Sequence, residues 1–169
     1  MGGFTLIEML TAIVVLAVLL AIALPNLSGF VRSSKVRGAQ SELIGALMLA
    51  RSEAVKRGVA VSVAATSATA GDFSSGWTVW IDADGDGTVN NGETVLRSFP
   101  DISGAVVASA TSFNTTTPVS ALAFTPTGFL TPITPVSFKV CGKGDTTKGY
   151  TINIWLVGMA DVSDQTTCP

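Results

Sequence analysis

From Phe4 to Leu24 the chain is apolar at almost every position, and from Met9 onward Thr11 alone is polar. A helix needs about 20 such residues to cross a hydrocarbon layer ~30 Å thick. The pattern therefore predicts a membrane-spanning helix. Glu8 stands inside this run. A carboxylate at membrane depth costs a few kcal/mol and calls for a cationic partner, and the run contains no Lys or Arg.

Pro25 follows. It lacks an N–H and crowds the preceding turn, which predicts a bend in the helix rather than its end. Apolar residues then recur every three or four positions, at Leu27, Phe30, Val31, Val36, Ala39, Leu43, Leu47, Ala50 and Ala54. That spacing gives a helix one buried face. Arg32, Lys35, Arg37, Glu42, Arg51, Glu53, Lys56 and Arg57 fill much of the rest. Lys56 and Arg57 suit the negative end of the helix dipole, and Gly58 suits the position just past it. A helix from about Phe4 to Arg57 would be ~80 Å long.

From Val59 the helical period disappears, and Val, Thr, Ser, Gly and Pro dominate. Strands are expected at Val59–Ala65, Trp77–Ile81, Thr94–Phe99, Gly104–Ser109, Ser120–Thr125, Val136–Cys141 and Tyr150–Val157. Thr66–Ser75 reads as a loop and Gly142–Gly149 as a polar turn. Pro126, Pro132 and Pro135 restrict Gly128–Leu130 to an edge or a loop. Trp77, Trp80 and Trp155 fall in strands and are expected in the core or half-buried. The fold class is α+β: a long N-terminal helix packed on an antiparallel β-rich head.

Composition narrows the function. The net charge is −2, unlike the basic balance of a general nucleic-acid binder. The chain has no histidine, so the commonest general base and transition-metal ligand is missing. Asn114-Thr115-Thr116 fits a glycosylation acceptor and equally a plain polar loop.

Asp82 to Glu93 matches the spacing of a twelve-residue calcium loop. Asp82, Asp84, Asp86, the Thr88 carbonyl, Asn90 and Glu93 would supply the oxygens, with Gly87 at the sharp turn. The flanking segments read as strands rather than the helices of an EF-hand. The alternative is a hairpin loop in which Asp and Gly serve turn geometry, with close carboxylates that repel one another.

The start of the chain resembles type IV pilins and type II secretion pseudopilins. The resemblance rests on Gly3, Phe4, Thr5, Leu6, Ile7 and Glu8, the apolar run behind them, and Pro25. It implies that a prepilin peptidase cuts between Gly3 and Phe4 and methylates Phe4. It also implies that Glu8 pairs with the terminal amine of a neighbouring subunit, supplying the missing cation. Residues 1–3 are then a residual leader, 4–25 the transmembrane and assembly helix, 26–58 its amphipathic half, and 59–169 the head. The family's leader carries Lys or Arg before the glycine, and this chain does not. An ordinary signal peptide or anchor is the alternative, with Ala21-Ile22-Ala23 as a loose cleavage site.

Ala50-Arg51-Ser52-Glu53-Ala54 narrows the resemblance to the GspH/FimT group of minor pilins and pseudopilins. A head displayed outside the cytoplasm predicts a disulfide between Cys141 and Cys168, against two free buried thiols. Some members of the group take up DNA through a Gly-Arg-x-Arg segment. The matching Gly158-Met159-Ala160-Asp161 has no arginine and carries an acid, so DNA binding by this chain is not supported. The resemblance implies a structural subunit that helps initiate or cap a pilus or pseudopilus, with other pilins and the inner membrane as partners. A major pilin, a DNA-uptake minor pilin, an anchored calcium-binding head and an anchored enzyme are the alternatives.

Overall fold

The computed structural model describes residues 3–90, 92–144, 149–165 and 168. The side chains of residues 22–28 and 165 lie outside the description. Met1 and Gly2 of the expected leader, Asn91 of the acidic loop and residues 145–148 of the Gly142–Gly149 turn are also outside it. Two compact units emerge, Met1–Ser34 and Lys35–Pro169.

The first unit is helical from Leu6, where α1 (Leu6–Arg57) begins. Thr5 and Glu8 form a reciprocal cap. The Glu8 N–H donates to Thr5 Oγ1 at 3.3 Å, and the Thr5 N–H points at Glu8 Oε2 at 3.5 Å. This satisfies donors that a helix start otherwise leaves open. The backbone stays helical through residue 25. Among the described residues no helix is long and apolar enough to cross a membrane. The predicted span runs into residues 22–28, whose side chains are not described.

In the second unit α1 buries Val36, Ala39, Leu43, Ala46, Leu47, Ala50 and Ala54, the later part of the face that the spacing predicted. Phe30 and Val31, expected on the same face, belong to the first unit and are exposed, and the Leu27 side chain lies outside the described residues. It closes at Gly58 (φ 68), whose N–H donates to Ala54. Glu53 pairs with Arg57 and Lys56 near this end, and the hydrogen bond from Arg57 holds its carboxyl below the usual range.

The strands are β1 (Val61–Ala65), β2 (Trp77–Ile81), β3 (Val95–Phe99), β4 (Val106–Ser112), β5 (Ala121–Phe124), β6 (Leu130–Thr131), β7 (Val136–Gly142), β8 (Gly149–Ile154) and β9 (Ala160–Gln165). They form two antiparallel sheets, ordered β3-β2-β1-β5-β6 and β4-β7-β8-β9. Alternate residues of both sheets join the helix in one apolar cluster. Val61, Val63, Leu122 and Phe124 come from the first sheet, and Val136, Phe138, Val140, Ile152 and Ile154 from the second.

Three differences from the expected elements have physical causes. The expected last strand Tyr150–Val157 stops at Ile154, because Trp155–Met159 turns on Gly158 (φ 73). The chain then returns as β9, whose mixed sequence gave no strand signal. The Thr66–Ser75 loop also carries a core residue, Phe73, edge-on to Phe138 at 5.0 Å.

Candidate functional site

Apolar exposure marks the first unit. Along Leu6–Leu20 the large apolar side chains are exposed, from 81% at Leu6 to 50% at Leu20. Nothing within this unit can cover them, since a single helix has no partner face. Glu8 lies in this surface, with Thr11, Ala12, Val15, Leu16 and Leu19 around a shallow groove. Gly3 and Phe4 precede the helix and are exposed. The exposed apolar run, the accessible Gly3-Phe4 bond and one carboxylate near the start therefore lie together. The cap between Thr5 and Glu8 carries a local signal, Thr-x-x-Glu at the start of an apolar helix.

The acidic loop joins β2 to β3. The pairing of β2 with β3 shifts register between Val79 and Trp80, and both residues are buried. Trp77 and Val79 enter the core, whereas Trp80 is wholly buried outside it. Trp80 stands opposite Ser62, whose hydroxyl donates to Asp82 Oδ2 at 2.5 Å. A side chain on Gly87 would approach Ala121 on β5. The loop therefore lies back across the outer side of the first sheet.

Asp82, Asp84 and Asp86 present oxygens within 4.8 Å of one another, but N–H donors surround them. Asp82, only 2% exposed, also accepts from the Gly85 N–H at 2.8 Å and the Gly87 N–H at 3.1 Å. Asn90 Nδ2 donates to both Asp84 (3.2 Å) and Asp86 (2.8 Å). Asp86 accepts from the Thr88 N–H and hydroxyl, both at 2.7 Å. The bonds from Thr88 and Asn90 hold its carboxyl below the usual carboxylate range. Glu93 turns both oxygens to backbone amides, Ala83 at 3.0 Å and Asn90 at 2.9 Å. The structure thus gathers the three Asp carboxylates, while Asn90 offers its amide and Glu93 binds the loop's own backbone. The repulsion expected among the carboxylates is offset by these donors.

Cys141 Sγ and Cys168 Sγ are bonded at 2.03 Å. Cys141 sits on the β7 face turned away from the core, opposite Gly149. A Cβ at Gly149 would come within 2.7 Å of both sulfurs, so the missing side chain leaves room for the bridge.

In the sequence Arg51 belongs to the polar side of the helix and to the Ala50–Ala54 segment that carries the family resemblance, with no partner assigned. In the structure its Nε donates to the Gly128 carbonyl at 3.2 Å and Nη2 to the Val157 carbonyl at 2.8 Å. No sequence signal announces a partner made of backbone carbonyls.

The family described as type II transport protein GspH matches residues 39–158. The prokaryotic N-terminal methylation motif matches residues 1–24. Among solved structures, the type IV minor pilin FimU of Pseudomonas aeruginosa is similar in two crystal forms, each at 26% identity. One covers 83% of this chain and 99% of its own, with a TM-score of 0.64. The other covers 79% and 99%, with a TM-score of 0.61. The minor pseudopilin EpsH from the type 2 secretion system of Vibrio cholerae shares the fold at 13% identity. It covers 77% of this chain and 97% of its own, with a TM-score of 0.51. No curated protein matches the chain.

Proposed function

The chain belongs to the type II transport protein GspH family, and from that premise we propose that it is a minor pilin or pseudopilin that helps initiate or cap an envelope filament. It acts by assembly with other pilins rather than by catalysis. The observation that carries this reading is the exposed apolar helix of the first unit, which ends in Gly3-Phe4 and Glu8. The methylation motif that spans it implies processing by prepilin peptidase and anchoring in a membrane. On this reading the peptidase releases Phe4 as the methylated first residue. Phe4–Leu24 rests in the inner membrane with the head outside the cytoplasm, until neighbouring helices cover it. Pro25 relaxes the helix where the span ends.

Glu8 would then exchange its weak contact with the Thr5 amide for a neighbour's terminal amine. A charged hydrogen bond in an apolar surround is roughly twice as strong as a neutral one. Intact-mass spectrometry of envelope material tests the processing step. The expected mass is that of a chain starting at N-methylated Phe4. An uncleaved start, or cleavage after Ala23, would overturn the reading.

A further inference from the structure

Arg51 joins three elements that are far apart in sequence. Gly128 lies in the turn between β5 and β6 of one sheet, and Val157 in the turn between β8 and β9 of the other. Each turn closes locally, by Gly128 N–H to Thr125 carbonyl and by Gly158 N–H to Trp155 carbonyl, both at 2.8 Å. The turns also bond directly, through the Leu130 N–H and the Leu156 carbonyl at 2.9 Å. Arg51 completes the triangle from α1. The approach is close enough to need glycine: a Cβ on Gly158 would lie 2.4 Å from the Gly128 carbonyl oxygen and 2.5 Å from Arg51 Nε.

Turns are usually polar, yet these two expose Phe129 at 51%, Val157 at 46% and Met159 at 61%, with Leu156 beside them. We propose that Arg51 is a positioning residue. By holding the Gly128 and Val157 carbonyls together, it couples the two turns into one unit and fixes how Phe129, Leu156, Val157 and Met159 are presented. A guanidinium reaches two carbonyls from one planar fork, whereas a lysine ammonium is a point charge on a flexible stem. This coupling is a property of the head and holds whichever filament the chain enters.

The test uses the full chain in phospholipid nanodiscs, with hydrogen exchange read by mass spectrometry and iodide quenching of tryptophan fluorescence. Arg51→Gln is expected to speed exchange in peptides over 125–130 and 155–159 together, by about tenfold, equivalent to one charged hydrogen bond. Peptides from β1 and β7 keep their wild-type rates, since Arg51 is outside the core cluster. Iodide quenching rises, and Trp155 is its source, because Trp77 and Trp80 are wholly buried. Arg51→Lys restores protection in one turn at most. Gly158→Ala reproduces the coupled change with Arg51 present, so the test survives poor folding of either variant. Unchanged exchange in both turns, loosening of one turn alone after Arg51→Gln, or a uniform rise across the core would each overturn the proposal.

Discussion

The two halves of α1 share one backbone conformation, the first almost wholly apolar and the second amphipathic, and they differ in what their apolar residues touch. Along Leu6–Leu20 the large side chains stand exposed. Along Val36–Ala54 one face is buried against both sheets, with Leu43, Ala46, Leu47 and Ala50 fully covered. Burying a Leu or Val side chain contributes about 1.5–3 kcal/mol. The second half gains that within the chain. The first half cannot gain it within its own unit; on the proposed function it gains it from lipid or from neighbouring helices. Helix propensity is therefore a poor guide to the role of either half; the location of the covering surface decides it.

The largest expected effect tests the first half alone. Glu8→Val removes the carboxylate and is expected to abolish filament incorporation while leaving the melting temperature of the head unchanged. Glu8→Gln separates two roles, because Gln also serves in a helix cap but carries no charge. Loss of incorporation with both variants, measured by immunoblot of sheared filaments, supports pairing with a neighbour's amine. Normal incorporation of the Gln variant would assign Glu8 to the cap and sink the pairing.

The second half should show the converse. Leu47→Ala is expected to lower unfolding free energy by about 2–5 kcal/mol, the range for a fully buried leucine. Processing at Gly3-Phe4 should be unaffected. Chemical denaturation of the detergent-solubilised chain, with mass spectrometry alongside, checks both. If Leu47→Ala blocked processing without loss of stability, the division between the halves would fail. Cys168→Ser is a smaller perturbation. The bridge spans 27 residues, and opening a loop of that size costs about 2–4 kcal/mol in the chain-entropy account. The loss should vanish under reducing conditions, where the wild type falls to the level of the variant.

The helix, its buried face and most strands were legible because each depends on local period. Val36 to Ala54 repeat at helical spacing, and β1, β2 and β7 are rich in residues that suit a pleated surface. The tip of the second sheet was not legible. Trp155–Val157 look like strand, and a turn there depends on Gly158 adopting a positive φ against Arg51 and Gly128. Trp80 was expected in the core or half-buried, and it is buried; strand alternation, in unbroken register with β1, turns it to the face opposite Trp77 and Val79, and the acidic loop that lies on that face could not be placed from local pattern. The role proposed for the apolar start was readable only through its motif, since nothing described within its own unit covers it.

The smallest expected effect concerns the acidic loop, which differs from the first half of α1 in finding all its described partners within the head. Calcium takes six to eight oxygens at ~2.3–2.6 Å. Here the Glu93 oxygens hold two backbone amides, and an Asn90 amide lies between Asp84 and Asp86. A cation would have to break these bonds before making its own. Millimolar calcium is therefore expected to leave the melting temperature where an equal ionic strength of sodium chloride leaves it. A true site would shift it by several degrees, since binding at a hundred times Kd adds ~2.7 kcal/mol. Asp82→Ala supplies the internal control. It strands the Ser62 hydroxyl and the Gly85 and Gly87 amides beneath the loop, at about 1–3 kcal/mol for a buried group left unpaired. That loss should be the same with and without calcium. The acid side gives a further check. Asp86 has a lowered pKa in the fold, so its contribution is present above the unfolded pKa and lost as pH falls through the folded one. Loss of the Asp86 bonds to Thr88 should thus begin only below the ordinary carboxylate range, seen as faster exchange of the Thr88 amide. A calcium-dependent rise in melting temperature, abolished by Asp82→Ala, would instead make the loop a cation site.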